Sequence, residues 1–451
     1  MNKREFLKTS YALGLSGLFL PLYSWQPKTE RIARKNWAGN LEYSAKNFHI
    51  PDTLEKLRDL VRNCDKLKVV GTRHCFNNIA DSQENQISLK QINRIVELDE
   101  EVRTVTVEAG VSYGQLCPIL HEKGYALHNL ASLPHISIAG ACATATHGSG
   151  IGNGNLATAV SAVEFLDAEG KLITLSKKTD DDRFSGAVVG LGGLGVVTKL
   201  VLDIEPTYEV RQDVFQFLPL ARLESNFDEI FSSGYSVSLF TDWQTENVNQ
   251  VWIKRRLDDL NIIDPSSDFF GAIPASRDIH PILELSPQNC TKQMGVPGPW
   301  FERLPHFRMN FTPSSGKELQ SEYFVPRRFA IDAIRALQKL GKQLSSLLMI
   351  SEIRIVEADH LWMSTCYKQS CVVFHFTWHQ DCKALKELLP LIEKELNPFG
   401  AKPHWGKMFV MSPRRIESLY EKLPDFKQLL REYDPDGKFR NNYINKKLGF
   451  V

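Results

Sequence analysis

The eight cysteines, at positions 64, 75, 117, 142, 290, 366, 371 and 382, include no Cys-x-x-Cys pair and no cysteine–histidine array with zinc spacing. A structural zinc and a paired redox dithiol are therefore not expected, and no metal is assigned. The cysteines read as small buried hydrophobes or free thiols. Charge of one sign is missing too: 54 Lys and Arg stand against 53 Asp and Glu, a net of +1. That argues against a nucleic-acid partner, which would call for a basic excess. The chain has no internal repeat, no low-complexity tract and no acidic tail. No apolar run reaches the ~18 residues of a comfortable membrane span.

What is present is ample apolar material, 43% of 451 residues, enough for two or three domains or two sharing a core. The N-terminus differs from the rest. Asn2 to Lys8 is basic and precedes a mildly apolar run from Tyr11 to Leu22. The order Lys3-Arg4-Glu5-Phe6-Leu7-Lys8 resembles a twin-arginine export signal with Lys3 in the first arginine position. Export to the periplasm is the expectation, or a cytoplasmic location if residues 1–24 are not a signal. Membrane contact is expected only through this segment as an anchor.

Residues 25–36 read as a polar linker. Beyond them helical and strand patterns alternate: a helix from Pro51-Asp52-Thr53 to about Asn63, strands at 67–70, 94–98 and 104–109, a helix at 113–122, and strands at 159–167 and 172–175. This alternation marks an α+β or α/β domain. Residues 130–155 are crowded with Gly, Ala, Ser and Thr, as suits a chain running close against a large ligand. Gly190-Leu191-Gly192-Gly193-Leu194-Gly195 fits Gly-x-Gly-x-x-Gly, but a helix-like stretch precedes it and a β-rich run follows. A nicotinamide-binding turn needs the opposite order, so that reading is set aside. From about residue 206 strands mix with longer loops, and a helix spans about 413–433 before the turn 434–437.

Two groups of residues carry chemistry. His74 follows a buried strand in Gly71-Thr72-Arg73-His74-Cys75-Phe76-Asn77. Free backbone N–H groups at Gly71-Thr72, with Arg73, could cradle a phosphate, and the loop 137–150 could form a second cradle. Alone, His74 would more commonly be a structural hydrogen-bonder. The second group is Ser351 to Val356, read as a strand with Glu352 and Arg354 on one face and Ile353 and Ile355 in the core. In the strand 371–379, His375 and Thr377 share one face and Phe374, Phe376 and Trp378 the other. A surface ion pair on an edge strand is the plain reading of Glu352 and Arg354. Two such neighbouring strands instead suggest a polar floor for a hydroxyl-rich ligand, since carboxylate and guanidinium can each pair with vicinal hydroxyls.

These stretches resemble the vanillyl-alcohol oxidase (PCMH-type) flavoprotein superfamily, and more closely its alditol (xylitol) oxidase and aldonolactone oxidase group. The likeness rests on Asn36-Trp37-Ala38-Gly39-Asn40, Gly71 to Asn77, Ser132 to Ser137, Thr144 to Gly150, Gly192 to Thr198 and His404-Trp405-Gly406-Lys407, in that order along the chain. It implies a two-domain α+β fold: a signal-like segment and linker at 1–35, an FAD-binding domain at 36–206, a mixed-sheet substrate cap at 207–411, and a C-terminal segment, 412–451, returning to the FAD domain. It implies FAD bonded covalently to His74. A second link is not expected, because Ser132 stands where some relatives have a cysteine. The implied cofactor contacts are Gly71, Thr72, Arg73, His74, Cys75 (its thiol turned to packing), Ser132, Ser137, Gly140, Thr144, Ala145, Thr146, His147, Val197 and His404. Glu352, Arg354 and Lys407 would be catalytic, and Ser132, His375 and Thr377 would bind substrate with them. The expected reaction is oxidation of a polyol's terminal hydroxyl to the aldose, with electrons passed to oxygen or another acceptor. The alternatives are an aldonolactone oxidase or dehydrogenase, and an exported flavin-bearing redox protein without turnover.

Overall fold

The computed structural model describes residues 34–259, 268–309, 311 and 317–450; the export-signal expectation lies outside them. The first helix, Leu54–Asn63, begins where the Thr53 hydroxyl accepts from the Lys56 N–H, and it buries Leu57 and Val61. Its neighbours form a small parallel sheet ordered Asn47–His49, Asn85–Ile87, Leu67–Val69. A five-stranded antiparallel sheet follows, ordered Ile95–Asp99, Thr104–Glu108, Val196–Asp203, Val160–Leu166, Leu172–Ser176. The glycine-rich turn 190–195 runs from the helix Asp181–Ala187 into the strand Val196–Asp203, helix first and strand second. Gly195 is small for a packing reason: a Cβ there would lie 2.3 Å from the Leu166 carbonyl oxygen.

The largest element is a nine-stranded sheet. Its central order is Glu209–Pro219, Asn247–Arg256, Ser236–Thr241, Leu348–Val356, Cys371–His379, Glu318–Pro326. Where a mixed sheet is expected for the cap, the strand pairings of this one are antiparallel among the described residues, with one isolated parallel bridge from Gly150 to Val356, and the parallel strand pairings belong to the small three-stranded sheet. The chain path supplies the reason. Twice, a helical crossover joins two strands that run the same way, and the next strand inserts between them. Glu209–Pro219 and Ser236–Thr241 flank Asn247–Arg256; Glu318–Pro326 and Leu348–Val356 flank Cys371–His379. Parallel strands thus never become neighbours, and the same unit recurs without a sequence repeat. The inner faces of Ile353, Ile355, Phe374, Phe376 and Trp378 share one core with Ile334 and Leu337 of the first helix after Pro326, and with Leu385 and Leu389 of Cys382–Leu396.

One helix expected near the C-terminus is two, Pro413–Leu419 and Leu423–Tyr433. Pro424 lacks an N–H and clashes with a preceding helical turn, so the chain breaks before it. Tyr420 in the break is extended and buried, its ring 5.0 Å from that of Trp405. The last residues return to the early sheet: Leu67 N–H donates to Lys438 O, and Asn441 Nδ2 donates to the carbonyls of Asn78, Ile79 and Asp81.

Candidate active site

Three separated stretches of sequence meet around His74. Asn36 Nδ2 donates to Cys75 O, the Phe76 N–H to Gly406 O, and Asn77 Nδ2 to the carbonyls of Trp405 and Lys407. Arg73 sits at φ +65°, a left-handed conformation uncommon for a non-glycine residue, within the tight turn that carries His74. The His74 ring lies 4.5 Å from the Trp37 ring and meets His135 edge-on, with the two Nε2 atoms 3.0 Å apart. Burial, helped by His135 and Lys407, pushes His74 down to about 3, so its imidazole is neutral. A neutral ring keeps the lone pair that bonding to carbon requires.

A cavity of about 580 Å³ opens beside this loop. Its wall holds every site residue expected from the sequence except Ala145 and Val197. Ala145 is fully buried in the core, at φ +53°. Val197 is half-buried and packs on the core from the strand Val196–Asp203. Cys75 lines the wall, but its sulfur would lie 3.3 Å from a Cβ on Gly406, and burial pushes its thiol up to about 11, in keeping with packing.

The loops fit a flavin dinucleotide. Gly71 and Gly140 close around Ser137 so tightly that a Cβ on either would fall 2.6 or 2.7 Å from its Oγ, and the Ser137 N–H donates to Thr72 Oγ1. This leaves backbone and hydroxyls, rather than bulky side chains, along one side of the cavity. Further on, the small residues serve the protein itself. A Cβ on Gly148 would lie 2.5 Å from Leu130 O, and one on Gly150 2.5 Å from Tyr235 O. Gly150, at φ +143°, donates its N–H to Ile355 O, fastening this loop to the strand that bears Glu352 and Arg354.

The opposite wall is built from side chains. Glu352 stands directly across from His375 in the sheet, and the strand pair is interior rather than at an edge. Glu352 and Arg354 are 4% and 6% exposed, which removes the surface-pair reading. Glu352 Oε1 accepts from His306 Nε2 at 2.8 Å and lies 3.4 Å from Arg354 Nε. Burial alone would raise the Glu352 pKa, but Arg354 and His306 outweigh it and hold the carboxyl below its ordinary range. Arg354 Nη2 donates to Glu322 Oε1 at 3.1 Å, and His147 Nε2 contacts the same oxygen at 3.1 Å. Lys407 Nζ donates to Gln320 Oε1 and lies 5.1 Å from the Phe76 ring centroid. Burial pushes both His375 and His404 down to about 3, so both are neutral.

Gln320, Glu322, His306 and Phe240 line the cavity without having been singled out in the sequence. For two of them a signal existed. Glu318, Gln320 and Glu322 alternate along their strand with the same period of two that exposed Glu352 and Arg354. His306 lies in an irregular segment and carries no such pattern.

The D-arabinono-1,4-lactone oxidase family matches residues 312–447, and an FAD-binding domain family matches residues 45–176. Alditol oxidase from Streptomyces sp. is 44% identical over 416 residues, 92% of this chain and 98% of its own length. L-gulonolactone oxidase from Mus musculus is 25% identical over 91% of this chain and 97% of its own. The crystal structure of cholesterol oxidase from Brevibacterium sterolicum superposes with a TM-score of 0.73 at 13% identity, covering 92% of this chain and 96% of the other, which shows a common fold.

Proposed function

Because the chain belongs to the alditol oxidase family of FAD-dependent oxidoreductases acting on CH–OH donors, we propose that it oxidises the terminal hydroxyl of an open-chain polyol to the aldehyde, with oxygen as the electron acceptor. The observation that carries this reading is the charged group of Glu352, Arg354 and Lys407, the first two buried, lining one cavity with the loops around His74 and Ser137. A wall of this kind takes hydroxyls, each able to donate to a carboxylate and accept from a cation.

FAD supplies the hydride acceptor. Gly71, Thr72, Ser137, Gly140, Thr144 and Thr146 would hold its phosphates and ring by backbone and hydroxyl contacts. His74 would anchor it covalently. In the reaction, Glu352 takes hold of the reacting hydroxyl's proton, while Arg354 and Lys407 place fixed positive charge where negative charge develops. Ser132, His375 and Thr377 hold the remaining hydroxyls. The Arg354–Glu322–His147 contacts keep the guanidinium in place.

A panel of xylitol, sorbitol and aldonolactones, followed by peroxide release, tests the proposal: faster turnover of the polyols is expected, and a preference for lactones would replace it with the lactone-oxidase reading. For the anchor, acid denaturation should leave yellow flavin on the peptide containing His74 and release it from His74→Ala; free flavin from the wild type would refute the covalent bond.

A further inference from the structure

The strand Asn247–Arg256 buries a cation that this chemistry leaves without a role. Lys254 is 1% exposed and does not line the cavity. Its Nζ reaches three acceptors: Leu304 O at 2.5 Å, Pro305 O at 3.1 Å and His306 Nδ1 at 3.2 Å. An ammonium has three N–H bonds and no lone pair, so this is the coordination of the charged form. His306 Nδ1 must then accept, which leaves the ring's proton on Nε2, facing Glu352 Oε1 at 2.8 Å. The ring itself is clamped, with Phe240 and Trp252 packed edge-on against it at centroid distances of 5.5 and 5.4 Å. With rotation blocked, the tautomer is the freedom left to it.

We infer that Lys254 is a positioning residue: it locks His306 in the Nε2–H tautomer, and the locked histidine holds one oxygen of Glu352 so that the other is presented to the substrate hydroxyl. Only the identity of that hydroxyl rests on the polyol reading. The same logic operates where a histidine beside a reactive group is useful in one tautomer only, its other nitrogen's partner choosing which. Burial pushes Lys254 down to about 7, with Glu352 and Cys290 holding it up and Arg354 pressing it lower. Burial pushes His306 to about 4, opposed by Glu352 and reinforced by Lys254 and Arg354. At pH 6, between these values, the lysine is charged and the histidine neutral.

The test is a double-mutant cycle at pH 6 in FAD-loaded enzyme, with xylitol as probe and with flavin content and melting temperature compared across the set. Lys254→Met should lower kcat about tenfold. His306→Gln keeps a donor at the Nε2 position that needs no tautomer, so, whatever its own turnover, adding Lys254→Met to it should cost less than about twofold. His306→Asn, too short to reach Glu352, should fail as Lys254→Met does. An equal loss from Lys254→Met in both backgrounds would overturn the lock. A second readout needs no substrate: ring nitrogen shifts in ¹⁵N-histidine-labelled holoenzyme, with His306 assigned by the signal lost in His306→Gln. The Nε2–H tautomer is expected in the wild type and a mixture in Lys254→Met; an Nδ1–H ring in the wild type would refute the inference. A wild type inactive on xylitol would defeat the substrate reading and leave the tautomer result standing.

Discussion

The two walls of the cavity are made differently. The wall proposed to hold the flavin comes from two short stretches and is largely backbone: Gly71 to Cys75 and Ser132 to His147 supply turns, small residues and hydroxyls, with glycines where a Cβ would collide. The other wall is discontinuous and made of side chains: Glu322, Glu352, Arg354, His375 and Lys407 arrive from three strands and a loop, with Glu352 held by His306, Arg354 by Glu322 and Lys407 by Gln320. Both halves bury a lysine with similar coordination. Lys68 donates to the carbonyls of Leu191, Gly192 and Phe439, as Lys254 does to those of Leu304 and Pro305, but only Lys254 has a histidine as its third partner. A lysine on carbonyls alone ties loops together; one that also reaches an imidazole can act on chemistry.

The sharpest way to separate the walls is to damage each by a single group. Glu352→Gln, on the side-chain wall, should cut turnover by about 10²-fold or more while bound flavin stays intact, measured by steady-state kinetics and the flavin spectrum. Near-normal turnover would remove Glu352 from its role. Gly148→Ala, beside the backbone wall, forces a methyl toward Leu130 O and Asn129 Oδ1, and should lower stability by about 2 kcal/mol in denaturant titration, with activity falling only as the fold does. A melting curve unchanged by the substitution would mean that the loop gives way freely.

The smallest effect concerns the two lysines. Each has a pKa lowered by burial from 10.5 to about 7. A depressed lysine disfavours the proton in the folded state, so the unfolded chain binds more protons between about pH 7 and 10.5, and stability rises with pH across that window. Lys68→Met and Lys254→Met should each flatten this rise in melting temperature against pH. A slope that neither variant alters would place the titration elsewhere.

The same contrast decides what the sequence reveals. The backbone wall is local, so Gly71 to Asn77 and Thr144 to Gly150 announce it as strings. Glu352 and Arg354 are legible because a strand's period of two sets them on one face. Their pairing with His375 depends on register between strands, which the aromatic backs of the second strand make readable. Glu322 is harder, since its strand reads as polar until its partners are known. His306 and Lys254 are invisible, because their meaning is a contact across 52 residues and lies in no pattern. The small residues at 148 and 150 mislead in the other direction: they face protein backbone where a ligand is expected. The helix expected over 413–433 ignores Pro424, which alone is enough to divide it.

The most direct test of the whole account is to mix FAD-loaded protein with xylitol in the absence of oxygen and follow the flavin's yellow absorbance. Reduction by an open-chain polyol predicts rapid bleaching, reversed when oxygen is admitted. Flavin that stays oxidised with xylitol and sorbitol, yet bleaches with an aldonolactone, would contradict the polyol assignment.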